Sequence, residues 1–233
     1  MIGTRLLLGM YEAASIQRWN DHARPFEIVE LDKQAHKMVI AYVIARIEEE
    51  DRNTEIDWIG LIEGGIFEFF HRTVLTDIKP AVFSRMMEEK GLELNQYVVR
   101  RLKKDFGEID GELCTCFENY MFDSAYRRFE KRILQAAHYI ASDWEFGFIY
   151  SLNSHIYGIE DTKREMENRL EDFYDLIGVQ KIFLKKRSYG FIDLCGQLRF
   201  QKRWSGSPRV PQTTVLGHML IVAMLSYLSS IEM

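Results

Sequence analysis

Ile16-Gln17-Arg18-Trp19, followed by Arg24 and then His36-Lys37-Met38-Val39-Ile40-Ala41, stands near the start of the chain. Near its end stands Gln201-Lys202-Arg203-Trp204, followed by Arg209 and then His218-Met219-Leu220-Ile221-Val222-Ala223. Each set has an Arg-Trp pair closing a helix, a loop with an arginine, and a histidine early in an apolar helix. An ordered set of this kind is harder to meet by chance than any short coincidence. The chain therefore reads as carrying an internal repeat, with His36 and His218 as counterparts.

Outward from these two sets, apolar residues recur mostly at three- and four-residue steps, and the chain has only four prolines. That spacing predicts helices. They are expected at Thr4–Trp19, from Asp32 (as N-cap) to Glu50, and at Trp58–Arg72, Pro80–Lys90 and Leu94–Phe106. Others are expected at Asp123–Phe148, Thr162–Leu176, Tyr189–Arg203 and Pro211–Ile231, with one short alternating stretch near Val179–Leu184. The fold class is all-α.

At 233 residues and 47% hydrophobic, the chain can bury a substantial core. Its net charge of −5 argues against nucleic-acid binding, which needs a basic face. Three scattered cysteines, Cys114, Cys116 and Cys195, cannot complete a tetrahedral zinc site and read as reduced thiols. The N-terminus shows no signal-peptide pattern, so a cytoplasmic location is expected. Val215–Leu228, the most apolar run, is short for a membrane span and contains His218, so no membrane contact is expected. It reads as a buried core helix.

His36 shares a helical face with Ile40, Val43 and Ile47, His138 with Leu134 and Ala141, and His218 with Val222 and Leu225. Inward imidazoles need a hydrogen-bond partner or a metal. Glu68 lies in the nearly apolar stretch Gly64-Gly65-Ile66-Phe67-Glu68-Phe69-Phe70, where a carboxylate must be paired or ligated. An ion pair with Arg72 is the plain alternative. The adjacent Gly64 and Gly65 point to close approach of another helix or of a ligand.

With these residues in hand, the chain resembles the HD superfamily of metal-dependent phosphohydrolases, and within it the 5′-deoxynucleotidase branch. Arg18, Trp19 and His36 match the opening of that pattern, the run Val74-Leu75-Thr76-Asp77-Ile78 matches its L-T-x-D-I stretch, and Glu130, Ala136 and Ala137 match the lead-in to its last aspartate. The resemblance covers about residues 10 to 145 and implies an HD-domain-like helical bundle. The paired His-Asp signature is broken, because Glu68 and Phe69 stand in its place, Arg72 stands for the family's glutamate, and His138 stands for the last aspartate. An alternative register puts His71-Arg72 on the pair but needs a three-residue deletion.

The resemblance implies a divalent metal (Mn, Co, Zn, Fe or Mg) held by His36, Glu68 and His138. It implies a small phosphorylated ligand, a nucleotide by analogy, gripped by Arg18 and walled by Trp19. Asp77 and Arg72 become the candidate catalytic residues. Residues 1–185 are expected to form one HD-like domain, and residues 186–233 to begin a second copy, with Arg203, Trp204 and His218 as its candidates, packed back on the first. The functional expectation is phosphomonoester hydrolysis at a degenerate site. Its alternative is a non-catalytic nucleotide-binding or dimerisation module that supports a separate catalytic HD domain. Phe83, Met86 and Met87 mark a candidate homodimer face.

Overall fold

Glu30–Arg52 (α2) is the axis of the molecule, because it is buried on nearly every side. The computed structural model describes all residues except 1, 77–79, 186, 204–205, 208–209 and 233; the side chains of 80–84 and 187 are likewise outside the description. Before α2 comes Thr4–Glu12 (α1), and after it Trp58–Val74 (α3), Pro80–Gly107 (α4), Gly111–Phe122 (α5) and Arg128–Asn153 (α6). Ile159–Glu171 (α7), Ile177–Phe183 (α8), Arg187–Gln197 (α9), a 3-10 turn at Leu198–Phe200, and Val215–Glu232 (α10) complete the order. The architecture is an all-α, HD-like helical bundle with no strand among the described residues.

α6 lies along α2 as its main partner; α3, α8, α9 and α10 pack around the same axis. α4 and α5 form a hairpin against the far side of α3. There Phe67, Phe106 and Phe117, all fully buried, meet with ring centroids 4.7–5.5 Å apart. Such aromatic clusters supply much of a core's apolar burial.

Several sequence expectations are corrected. α1 ends at Glu12 rather than Trp19, because the chain turns to pair Gln17 with Val29 in an isolated bridge. α2 starts at Glu30, so Asp32 is inside the helix and is not its N-cap. The alternating stretch near Val179 is helical, and α5, absent from the expectation, is started by Asp110 accepting from the Leu113 amide at 2.8 Å. The pair expected at Pro80–Lys90 and Leu94–Phe106 is one helix broken at Lys90, where the backbone leaves helical geometry. α10 is not a buried core helix. It seats Leu216, Ile221, Met224 and Leu228 inward but leaves Met219 54% and Val222 47% exposed. By length and composition alone it is apolar enough to cross a membrane.

The glycine expectation is met by packing. A Cβ at Gly64 would stand 2.8 Å from Leu134 and from the Tyr120 ring, and one at Gly65 only 2.3 Å from the Met38 sulfur. Gly178 is tighter in kind, since its Cβ would meet the α2 backbone at Ile44 Cα, 2.8 Å away. Backbone cannot swing aside, whereas the end of a methionine can. Gly178→Ala is therefore expected to destabilise the fold by about 1–3 kcal/mol through overpacking. Gly65→Ala should stay within about 1 kcal/mol of wild type, because helix propensity offsets the displacement of Met38. Urea unfolding of both variants checks the contrast.

Candidate functional site

Glu30, Lys33 and Lys37 fall on one stripe of α2, which continues into the core as Ile40, Ala41 and Ile44. All three charged residues are buried. Each neighbouring helix supplies a partner. Glu30 takes Arg18 at 2.9 Å and Arg72 at 3.5 Å, and Gln34 donates to it at 2.7 Å. Lys37 Nζ donates to Glu68 Oε2 on α3 at 2.9 Å, and the other Glu68 oxygen accepts from Tyr120 at 2.7 Å. Lys33 Nζ donates to His138 Nδ1 on α6 at 2.5 Å.

A second knot lies at the other end of α6. Glu145, fully buried, accepts from Arg18 Nε and Arg199 Nη1 at 2.9 Å each and from Trp19 Nε1 at 3.0 Å. Arg199, equally buried, also donates to His36 Nδ1 at 3.4 Å, while His36 Nε2 donates to the Ile192 carbonyl at 3.0 Å. The Trp144 ring meets the edge of His36, with 5.1 Å between centroids, and underlies Arg199.

The electrostatics follow from this pairing. Burial disfavours ionised Glu30 and Glu145, but the arginines outweigh it and hold both below the usual carboxylate range. Glu68 is also lowered, where Lys37 and Tyr120 overcome burial. Burial and then Arg199 push His36 down to about 4. His138 is held well below its ordinary value by desolvation of its inner edge, then by Lys33 and Arg18, although the residue as a whole is exposed.

The three expected metal ligands do not meet. His36 faces α9 with both ring nitrogens engaged, Glu68 faces Lys37 and Tyr120, and His138 faces Lys33. Among the described residues, no group of three or more His, Cys, Asp or Glu could hold a metal ion. The donor set of this centre does not fit a divalent cation, because lysine amines stand against two of the three ligands. Arg18 has all its nitrogens engaged, with Ser142 as third partner at 3.4 Å, so it is an internal tie and not a phosphate clamp. Trp19 packs on Phe146 and bonds Glu145, which makes it a core anchor. Arg72 bonds Glu30 and the Leu75 carbonyl rather than Glu68. Asp77 and Trp204 lie outside the described residues, as does the side chain of Phe83; Met86 and Met87 are half-buried.

The stripe of Lys33 and Lys37 and the pair Glu145–Arg199 were missed by sequence reasoning. The available signal was periodicity: positions 30, 33 and 37 share the face of Ile40 and Ile44, so those charges had to be buried.

Backbone hydrogen bonds give the two sets a common register. Arg18 N donates to Ile28 O and Glu30 N to Ile16 O; Arg203 N donates to Thr213 O and Val215 N to Gln201 O. The bridge Gln17–Val29 has its like in Lys202–Thr214. Every residue of the second set stands 185 positions after its equivalent in the first. In that register the counterpart of His218 is Lys33, not His36, and that of Val222 is Lys37. The two units also touch. Asp32 accepts from Thr214 Oγ1 at the start of α10, and a Cβ at Gly217 would stand 2.9 Å from its carboxylate.

A cleft of about 880 Å³ opens between α3, α4, α5 and α6, with Glu68, His71, Tyr120, Arg128 and Lys131 on its walls. A smaller groove, about 400 Å³, lies beside Trp144 and Asp193. All three cysteines are free thiols.

Fold and geometry thus define an all-helical bundle with a charge-filled centre. A protein-family model described as HD domain matches residues 195–233, the segment of Arg199, the Lys202–Thr214 bridge and α10. The match supports the HD superfamily, whose members are generally metal-dependent phosphohydrolases. No curated protein matches the chain.

Glu145→Gln leaves Arg18 and Arg199 short of one buried counter-charge and is expected to cost about 3–5 kcal/mol, read from denaturant midpoints. Asp32 behaves oppositely, since burial raises its carboxyl to about 6. Its protonated form stabilises the fold below the unfolded value, and that contribution is lost as pH rises through about 6. Asp32→Asn keeps an acceptor for Thr214. Its thermal midpoint should exceed wild type at pH 7.5, by up to about 2 kcal/mol of stability, and converge with it near pH 4.

Proposed function

We propose that residues 1–183 act as a metal-free helical module of an HD-superfamily protein. It binds a small phosphorylated ligand, a nucleotide by resemblance, and supports the HD-matched segment. The observation that carries this reading is the pairing of Lys33 with His138 and of Lys37 with Glu68, which consumes the groups a phosphohydrolase would need for its metal. The basic wall of the larger cleft, Arg128 and Lys131, supports the phosphate part. The 185-residue register supports a tandem arrangement in which His218, partly exposed within the HD match, holds the position of a metal histidine. Metal chemistry in this protein would run through His218 and not through His36.

The test is a screen of the purified chain against nucleoside monophosphates with Mn²⁺, Co²⁺, Mg²⁺ and Zn²⁺. No turnover is expected. A bound nucleotide at a hundredfold excess over Kd should raise Tm by about 5 °C or more, and Arg128→Ala with Lys131→Ala should remove the shift. Metal-dependent turnover that His36→Ala or His138→Ala abolishes would overturn the reading.

A further inference from the structure

Two fully buried lysines stand one turn apart on α2, and each is bonded to a side chain of metal-ligating type. Lys33 Nζ is 2.5 Å from the imidazole of His138, and Lys37 Nζ is 2.9 Å from the carboxylate of Glu68. Lys33 also acts electrostatically on Glu68, so the carboxylate and the imidazole lie around the same two amines. Burying an amine costs several kcal/mol unless a partner offsets it. The counterparts in α10 carry no such burden, being His218 and Val222.

We propose that this centre is a latent divalent-metal site, closed because Lys33 fills the place of an imidazole ligand and Lys37 neutralises the carboxylate ligand. Glu68 on α3 and His138 on α6 are two side chains of ligating type, each bonded to one of these amines. An imidazole at position 33 would be the third. Two nitrogens and one oxygen with open positions for water suit zinc, cobalt, manganese or iron(II). The inference rests on the register that makes His218 the counterpart of Lys33, but not on any catalytic role for the chain.

The two residues of the second unit can be placed in the first as Lys33→His with Lys37→Val. Wild type and double variant are dialysed against Co²⁺ and Zn²⁺, then assayed for metal content and for visible Co²⁺ absorption. Wild type should retain no stoichiometric metal. The double variant should gain one equivalent, with cobalt bands, and lose it when His138→Ala or Glu68→Gln is added. A double variant that folds by circular dichroism yet retains no metal overturns the proposal. So does a wild-type chain that holds one equivalent removable by His138→Ala. Should the double variant fail to fold, Lys33→His alone and the wild-type chain decide it. The single variant must gain metal, and histidine ¹⁵N spectra of wild type must show His138 unmoved by Zn²⁺; the opposite of either overturns it. Turnover and nucleotide stabilisation are measured on wild type, so a graft that fails leaves the scaffold reading standing.

Discussion

Three ionisable groups on one stripe of a buried helix cannot be left without partners, and α2 carries Glu30, Lys33 and Lys37 in that way, with burial holding the Lys33 amine well below its ordinary range. Each element that packs on α2 must therefore bring the matching group to a fixed height. α3 brings Glu68, α6 brings His138, and the loop before α2 brings Arg18. Arg18 then spans to Glu145, which recruits Arg199 from the turn after α9. A sliding apolar interface tolerates small shifts in helix register, but a paired buried charge does not, because a displaced partner leaves an uncompensated ion. The network thus sets how the helices are stacked, while the phenylalanine cluster between α3, α4 and α5 supplies the non-directional part of the stability.

The same constraint explains why the two equivalent helices have different surroundings. α2 and α10 are entered by one backbone device, a bridge that closes a loop and starts a helix, repeated at 185 residues. On α2 the positions that correspond to Met219 and Val222 are Gln34 and Lys37, both buried and both bonded to Glu partners. On α10 these positions are apolar and exposed, and the helix is tied to the bundle along its Leu216–Leu228 face, by Asp32 at its first turn and by Tyr227 donating to Glu63 at 2.7 Å.

How far all this was legible in the sequence depends on which physical quantity was being read. Helix content and the close approach at Gly64 and Gly65 follow from period and side-chain volume, both local properties. The partner of His36 does not. A helix buried on all sides has an inward direction on every face, so knowing that His36 points inward leaves α9 and α3 equally open. At the histidines, the sequence register of the two sets lies three residues from the one that the backbone pairing gives, and the reason is geometric. Three residues advance a helix by nearly one turn, so apolar faces still superimpose when His36 is laid on His218. Hydrogen-bond pairing in the bridges tolerates no such slip, and it puts Lys33 opposite His218.

That correction changes the chemistry more than the fold. Read as a histidine position, residue 33 belongs with Glu68 and His138; occupied by lysine, it turns the same neighbours into hydrogen-bond acceptors. Without the two amines the Glu68 carboxylate would lose its counter-charge and keep only Tyr120, and the His138 imidazole would lose its hydrogen-bond partner. Lys37 answers the first and Lys33 the second, from adjacent turns of one helix. A cation carried on the backbone cannot dissociate, and it cannot polarise a phosphoryl oxygen or activate a water as a bound metal would. On the reading proposed above, the two residues that complete this centre as a structure are also the ones that close it to a metal.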